Sequence, residues 1–278
     1  MYLDYWELAA KPFEPQLAGG DFYFPSESHE GALSKLRYAV QQGRGVAALA
    51  GPSGAGKTLL IDRLAESIDP ETSPLVRVGF PQLSTRELLA YLAEKLQAPA
   101  VSANATGAAE ESIRRLELLA EQNSEKGRRP VVVIDEAHLL EDSGALETIR
   151  LLDNFRSGGE GAGPAFTFLL VGQMGLLSSV ARHPALDERL AVKSLLRSLT
   201  AEETSDYVRR RVVAAGAERE LFSEAALQQL HALSGGSPRR INRLADLALV
   251  VGFADQAPQI EPKQVASVHR ELVTLGGE

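Results

Sequence analysis

The stretch that decides the fold is Gly51-Pro-Ser-Gly-Ala-Gly-Lys-Thr58, which matches the phosphate-loop pattern G-x-x-x-x-G-K-[ST]. The apolar run Val46–Ala50 precedes it and predicts a buried strand, and Leu59–Ile68 follows with helical spacing. The glycines let the backbone curl so that successive N–H groups face one point, and the following helix adds unpaired N–H groups. The pattern therefore predicts a phosphate site, and the alternative is a glycine-rich turn that binds nothing.

Two side chains of this loop have chemistry of their own. We expect Lys57 to reach the β- and γ-phosphates of a nucleoside triphosphate and Thr58 to supply a hydroxyl to Mg²⁺. The residues expected to contact the nucleotide are Gly51, Pro52, Ser53, Gly54, Ala55, Gly56, Lys57, Thr58 and Leu59.

An acidic pair follows the strongest strand signal in the chain. Val131–Ile134 runs directly into Asp135 and Glu136, and a parallel strand offers its carboxyl end to a ligand. Asp135 is predicted to hold Mg²⁺. Glu136 is predicted to polarise the attacking water as general base, which contributes about 10²–10⁴-fold in rate. The alternative is an acidic pair that only favours the start of a helix.

Two further polar residues stand beside predicted strands. Gln173 follows Phe166–Val171, where it would orient water or contact a γ-phosphate, and the alternative is a surface turn. Arg189 precedes Val192–Leu196, and its planar guanidinium suits phosphate charge. Presented to a neighbouring subunit it would act as an arginine finger, worth roughly 10³–10⁵ in turnover; the alternative is a helix ion pair.

The other charged candidates lie on predicted helices. Arg239 follows Pro238, which fixes a helix start, so this arginine lies where the helix dipole disfavours a cation. That placement suggests a phosphate as its target, and the alternative is a solvated arginine. His138, in Asp-Glu-Ala-His, either couples the site to a partner or is structural. The triplet Arg209-Arg-Arg211 either contacts DNA or an acidic partner, or forms a solvated helix face.

The order of elements predicts an α/β fold with a separate helical bundle. The predicted domains are an N-terminal arm packing on the core (residues 1–44), an α/β nucleotide-binding core (45–199) and a helical lid domain (200–278). Loops of small residues are expected at Ala100–Gly107 and Ser157–Gly163. The remaining elements expected are a strand at Leu75–Phe80 and helices at Thr85–Leu96, Ala108–Lys126, Leu139–Phe155, Ala201–Ala215, Ser223–Leu233, Pro238–Phe253 and Pro262–Leu272.

The N-terminal arm is rich in aromatic residues. Aromatic and apolar groups suit the face of a nucleobase. Phe13, Phe24 and Pro25 are therefore candidates to form a wall of an adenine pocket.

Composition limits the classes of function that remain. The 278 residues are 44% hydrophobic, which is enough for a core without covalent staples, and they include no cysteine. Disulfides, thiolate metal sites and cysteine nucleophiles are thereby excluded. No run approaches the ~18 apolar residues of a membrane span, so a soluble, cytoplasmic protein is expected. The net charge of −8 disfavours a general nucleic-acid binder.

The order of these motifs resembles the AAA+ ATPase family over nearly the full chain, ending with Gly-x-Pro-Arg at Gly236–Arg239. The resemblance implies a P-loop NTPase parallel sheet flanked by helices and followed by a small all-α lid, with ATP and Mg²⁺ as ligands. It implies that Gln173 is sensor 1, Arg189 the arginine finger and Arg239 sensor 2. A finger used in trans implies ATP-dependent self-association.

The N-terminus is similar to a narrower group, the ATPases of the general secretion pathway (the GspA/ExeA type). The similarity lies in Met1-Tyr-Leu-Asp-Tyr-Trp-Glu-Leu8, Lys11-Pro-Phe13 and Phe22-Tyr-Phe-Pro-Ser26. It implies ATP-driven assembly or conformational change of a protein partner in secretion or the cell envelope. Transposition ATPases of the TniB/MuB kind are similar more distantly and imply the alternative, an ATP-dependent DNA-binding regulator. A helicase and a nucleotide-binding scaffold that does not hydrolyse are the remaining alternatives.

Overall fold

The structure, a computed structural model, describes residues 1–14, 16–17, 20–79, 82–101, 107–156 and 163–275. The chain forms two compact units. The helical unit comprises Met1–Glu27, Pro52–Leu59 and Arg197–Glu278, and the sheet unit comprises Ser28–Gly51 and Leu60–Leu196. The arm up to Glu27 and most of the phosphate loop are thus grouped with helical residues. The predicted domain boundaries at residues 44 and 199 stay predictions.

A parallel sheet forms the centre of the sheet unit. Within the described residues the strands are β1 (Gln16–Leu17), β2 (Gly20–Asp21), β3 (Val46–Ala50), β4 (Leu75–Val78), β5 (Val131–Ile134), β6 (Thr167–Gly172) and β7 (Leu190–Leu195). The sheet has the order β4-β5-β6-β3-β7, and every neighbouring pair in it is parallel. The predicted parallel α/β fold is confirmed. Phe80, the end of one predicted strand, lies outside the described residues.

The described residues form α-helices in both units. They are α1 (Tyr2–Tyr5), α2 (Glu27–Gln41), α3 (Lys57–Glu66), α4 (Thr85–Lys95), α5 (Ala108–Glu125), α6 (Ala145–Leu152), α7 (Gly175–Ala181), α8 (Pro184–Asp187), α9 (Ala201–Ala214), α10 (Glu224–Ser234), α11 (Pro238–Ala254) and α12 (Pro262–Leu275).

Every residue of β3, β5 and β6 is buried, as expected of parallel strands covered on both faces. The carboxyl ends of these three strands therefore lie at one edge of the sheet, next to one another.

One predicted helix is wrong in its continuity. The sequence predicts a single helix over Leu139–Phe155, but a 3₁₀-helix at Ala137–Ser143 ends at Gly144 and α6 begins after it. Gly144 has a φ of +69°. A left-handed residue cannot continue a right-handed helix, and glycine adopts that conformation at little cost.

The N-terminal segment belongs to the core of the helical unit. Trp6 is fully buried, and its indole N–H donates to the carbonyl of Leu249 on α11 at 2.9 Å. Tyr5 donates through its hydroxyl to the carbonyl of Ala257 at 2.8 Å. Gly252 makes room for the ring, because a Cβ there would lie 2.9 Å from Trp6 Cζ2. These contacts explain why the first helix, only four residues long, is ordered against α11.

The solvated helix face expected of the arginine triplet on α9 fits Arg209 and Arg210, which are exposed, but is wrong for Arg211. Arg211 is 4% exposed, and its guanidinium donates to the carbonyls of Pro12 at 2.7 Å and Glu14 at 2.9 Å and to the Tyr207 hydroxyl at 2.8 Å. Its guanidinium carbon also lies 4.6 Å from the centre of the Phe22 ring. A buried guanidinium needs such partners, and here they tie the arm to α9.

Two sequence features fall partly or wholly outside the described residues. Of the small-residue loops predicted at Ala100–Gly107 and Ser157–Gly163, residues 102–106 and 157–162 are not described. Among the helices that the structure does describe, none is long and apolar enough to cross a membrane.

Candidate nucleotide-binding site

The phosphate loop starts where β3 ends, at the carboxyl edge of the sheet. Gly54 and Gly56 have φ angles of +75° and +92°, which glycine adopts readily and other residues only with strain. The first residue of α3 is Lys57, so the loop ends at a helix N-terminus that favours an anion. Lys57 is 8% exposed, and its ammonium donates to the carbonyl of Pro52 at 3.0 Å. Thr58 is exposed.

Within the helical unit, Gly54 lies against the first turn of α11. The Arg239 N–H donates to the Gly54 carbonyl at 3.3 Å. A Cβ on Gly54 would lie 2.7 Å from Cβ of Arg239 and 3.0 Å from Oγ of Ser237. The backbone of Arg239 is therefore next to the phosphate loop, and its side chain is exposed.

The acidic pair follows β5, at the same edge of the sheet at which β3 ends. Asp135 Oδ1 accepts the N–H of Glu136 at 2.9 Å. Glu136 has a φ of +51°, an uncommon conformation for a residue other than glycine. The Glu136 side chain is 47% exposed, yet its Oε2 is buried and accepts no hydrogen bond from the described residues. The carboxylate of Asp135 is an oxygen ligand of the type that Mg²⁺ prefers, and so is the hydroxyl of Thr58, so each residue fits the metal by its chemistry.

The end of β6 is linked to this acidic pair through a histidine. Gln173 directly follows β6, and its N–H donates to Nδ1 of His138 at 3.4 Å. The same Nδ1 lies 3.3 Å from Glu136 Oε2. Three residues that the sequence singled out separately are therefore neighbours in the sheet unit.

Arg189 makes internal contacts in the sheet unit. Its Nη1 donates to Asp153 Oδ2 at 3.1 Å, to Asn154 Oδ1 at 2.7 Å and to the carbonyl of Arg150 at 3.1 Å. Asp153 is 6% exposed. Burial raises the pKa of the Asp153 carboxyl, and the hydrogen bond and charge of Arg189 oppose that rise. The sequence offered no sign of this partnership, because the two residues are 36 positions apart.

The aromatic residues proposed for an adenine pocket have neighbours in the helical unit. Phe13 is 5% exposed and stands edge-to-face with Phe222, and Phe24 is 8% exposed and stands edge-to-face with Tyr207. Pro25 is exposed. A role beside a nucleobase stays a prediction for all three.

Comparisons with known proteins agree with this fold. A family model described as an AAA domain matches residues 40–179, half of the chain. The chain belongs to that family, and its P-loop, AAA+ architecture is the one that the sequence resemblance implied. Among individual proteins, it is 35% identical over 258 residues to general secretion pathway protein A of Aeromonas hydrophila. That match covers 91% of this chain and 45% of the relative, so the chain spans less than half of the relative's length.

Solved structures share the fold at low identity. The ADP form of the ORC2 protein of Aeropyrum pernix is 18% identical, with a TM-score of 0.63, covering 94% of this chain and 72% of its own. Cdc6p of Pyrobaculum aerophilum is 20% identical, with a TM-score of 0.65, covering 94% of this chain and 70% of its own. At these identities the likeness concerns the fold alone.

Proposed function

We propose that this chain binds ATP with Mg²⁺ and hydrolyses it. The observation that carries the proposal is the loop of residues 51–58, in which Gly54 and Gly56 are left-handed and a buried lysine opens α3. Residues 51–59 would hold the triphosphate, with backbone N–H groups and the helix dipole favouring the anion. The Lys57 ammonium, which now donates to a loop carbonyl, would donate to the β- and γ-phosphates instead.

Two residues would hold the metal. Thr58 offers an exposed hydroxyl, and Asp135 offers a carboxylate whose Oδ1 is already oriented by the Glu136 N–H. Mg²⁺, when bound, neutralises charge on the phosphate oxygens.

Glu136 would act as general base. Its carboxylate follows the Mg²⁺ ligand Asp135 directly, and it would accept the proton of the attacking water. Gln173 would orient that water or the γ-phosphate. Arg189 and Arg239 would place positive charge on the phosphates, Arg239 from the start of α11 and Arg189 in trans after leaving its contacts with Asp153.

Turnover would drive conformational change or assembly of a partner complex. Support for a protein partner in secretion or the cell envelope comes only from the name of the Aeromonas hydrophila relative. The alternative, a DNA-binding regulator of transposition, is not favoured. The net charge is −8, and the α9 arginines have partners: Arg209 pairs with Glu224, Arg210 with Asp206, and Arg211 is buried.

The decisive experiment measures ATP binding and phosphate release separately. We expect magnesium-dependent binding of a fluorescent ATP analogue that Lys57→Ala abolishes. We also expect phosphate release that Glu136→Gln lowers by about 10²-fold or more while nucleotide binding remains. Nucleotide affinity that is unchanged by Lys57→Ala, or steady release that is unchanged by Glu136→Gln, would contradict the proposal.

A DNA titration at low and moderate salt separates the two pathways. A DNA-binding regulator requires affinity that falls steeply with salt concentration, because phosphate contacts release counterions. We expect no such affinity from this acidic chain.

A further inference from the structure

The side chain of His138 stands between two parts of the candidate site. It is 20% exposed and belongs to the 3₁₀-helix Ala137–Ser143. A single ring nitrogen, Nδ1, faces both the Glu136 carboxylate, 3.3 Å from Oε2, and the backbone N–H of Gln173, 3.4 Å from its nitrogen.

The surrounding backbone fixes the ring in this position. A Cβ on Gly172 would lie 3.1 Å from the backbone nitrogen of His138 and 3.3 Å from its Nδ1, so a side chain at the end of β6 would crowd the histidine. On the other side, Glu136 keeps a left-handed φ of +51°, and its N–H is held by Asp135 Oδ1 at 2.9 Å. Such a conformation is strained for a non-glycine residue and persists only where the surroundings impose it.

Nδ1 can serve only one of its two neighbours at a time. Without a proton it is an acceptor and takes the Gln173 N–H; with a proton it is a donor and reaches Glu136 Oε2. The geometry of the structure corresponds to the first arrangement. The N–H of Gln173 has its acceptor, and the buried Oε2 of Glu136 has no hydrogen bond among the described residues.

We propose that His138 is a positioning residue that couples the end of β6 to the Glu136 carboxylate. When the imidazole proton resides on Nε2, Nδ1 holds the strand end that carries Gln173. When a proton resides on Nδ1, the ring releases that N–H and orients the carboxylate through Oε2. A change at Gln173, the residue proposed to face the γ-phosphate, is thereby passed to the general base. The inference rests on the proposed function, because it takes Glu136 as the base.

Three substitutions isolate the Nδ1 atom. In His138→Asn the side-chain amide places a polar atom, able to donate or accept, near the position of Nδ1. His138→Gln is the matched control, because it is equally polar but places its amide near Nε2. His138→Phe keeps the ring shape and removes both nitrogens.

We expect the Gln and Phe variants to lose about tenfold or more in kcat, with Kd for ATP within about twofold of the wild type, because they weaken orientation of a base worth 10²–10⁴-fold. We expect the Asn variant to retain most of the turnover. Equal turnover in all four proteins overturns the proposal. So does an Asn variant as slow as Gln and Phe, which would assign His138 a packing role. Glu136→Gln distinguishes failure of the proposed function from failure of this inference. If Glu136→Gln leaves turnover intact, the proposed function fails. If Glu136→Gln abolishes turnover while the His138 variants do not lower it, only the role of His138 fails.

A measurement on the unmodified chain covers the case in which the variants do not fold. The ¹⁵N signal of His138 Nδ1 distinguishes an acceptor nitrogen from one that carries a proton. Without nucleotide, we expect the signal of an acceptor nitrogen. When a non-hydrolysable ATP analogue and Mg²⁺ saturate the protein, we expect the signal to shift towards that of a nitrogen that carries a proton. A signal that stays the same at saturation overturns the coupling.

Discussion

We expect Gly236→Ala to destabilise the helical unit markedly more than Gly235→Ala, although both glycines are left-handed. Their φ angles are +70° and +61°, so alanine at either position pays the same kind of backbone cost. The surroundings differ. A Cβ on Gly236 would lie 2.1 Å from the carbonyl oxygen of Leu199, whereas a Cβ on Gly235 would meet nothing within 4 Å.

The two variants should differ in the free energy of unfolding because only Gly236→Ala collides with a neighbouring backbone. The left-handed conformation costs about 1–2 kcal/mol for a residue with a Cβ, and Gly235→Ala should show only this loss. In Gly236→Ala the Leu199 backbone must also move away. That movement breaks the hydrogen bond from the Leu199 N–H to the Gly236 carbonyl, now 2.9 Å long, at a further cost of about 0.5–1.5 kcal/mol. With some residual strain we expect a total of roughly 2–4 kcal/mol for Gly236→Ala.

The chain carries its own probe for this measurement. Trp6 is the only tryptophan in the sequence and is fully buried in the helical unit, so its fluorescence reports the unfolding of that unit. A urea titration followed at Trp6 gives the free energy of unfolding by linear extrapolation. If the two variants lose the same stability, the close approach of Gly236 to Leu199 is refuted. If both lose nothing, the left-handed assignments are refuted as well.

Two further predictions concern Asp246, which is partly buried, and Asp153, which is buried. Burial raises the pKa of Asp246, a rise that the Tyr2 hydrogen bond opposes. The free energy of unfolding of the wild type should therefore fall as pH rises through that folded-state pKa, because the folded protein holds the carboxyl proton more tightly than the unfolded chain. Asp246→Asn should be more stable than the wild type at pH 7 but not near pH 4. Urea titrations at the two pH values measure this difference. Arg189→Ala should lower the free energy of unfolding by about 1–3 kcal/mol, because it removes the guanidinium that is hydrogen-bonded to the buried Asp153. Adding Asp153→Asn should recover part of this loss. Thermal unfolding followed by circular dichroism measures both variants. If Arg189 is a finger, that double variant should still lack ATP-dependent assembly in size-exclusion chromatography; normal assembly and turnover would rule the finger out.

The strands and the phosphate loop could be predicted from sequence because their signals are local. Val46–Ala50 and Val131–Ile134 are short, continuous apolar runs next to residues that end a strand, which is the pattern of buried parallel strands. The loop between β3 and α3 is specified by its own eight residues. Neither signal involves a contact with distant parts of the chain.

The features that the sequence predicts wrongly or not at all depend on distant contacts or on backbone conformation, which leave no local signal. Arg211 stands in a basic triplet that looks solvated, but its partners Pro12 and Glu14 are almost 200 residues away in the chain. Asp153, the partner of Arg189, is separated from it by elements whose packing the sequence does not display. The sequence does not reveal the break at Gly144, because the apolar spacing continues across it while the helical backbone conformation does not.

The contact between Gly54 and α11 determines which substitution can test Arg239. Gly54 is left-handed, and a side chain there would press on the Cβ of Arg239 and on Ser237. Gly54→Ala would therefore disturb the phosphate loop and the start of α11 together, and a loss of nucleotide binding could not be assigned to either. The Arg239 side chain is exposed, while its contact with the loop is made by the backbone N–H. Because that N–H is common to every residue except proline, replacing the side chain alone leaves the loop contact intact and changes only the charge offered to a phosphate.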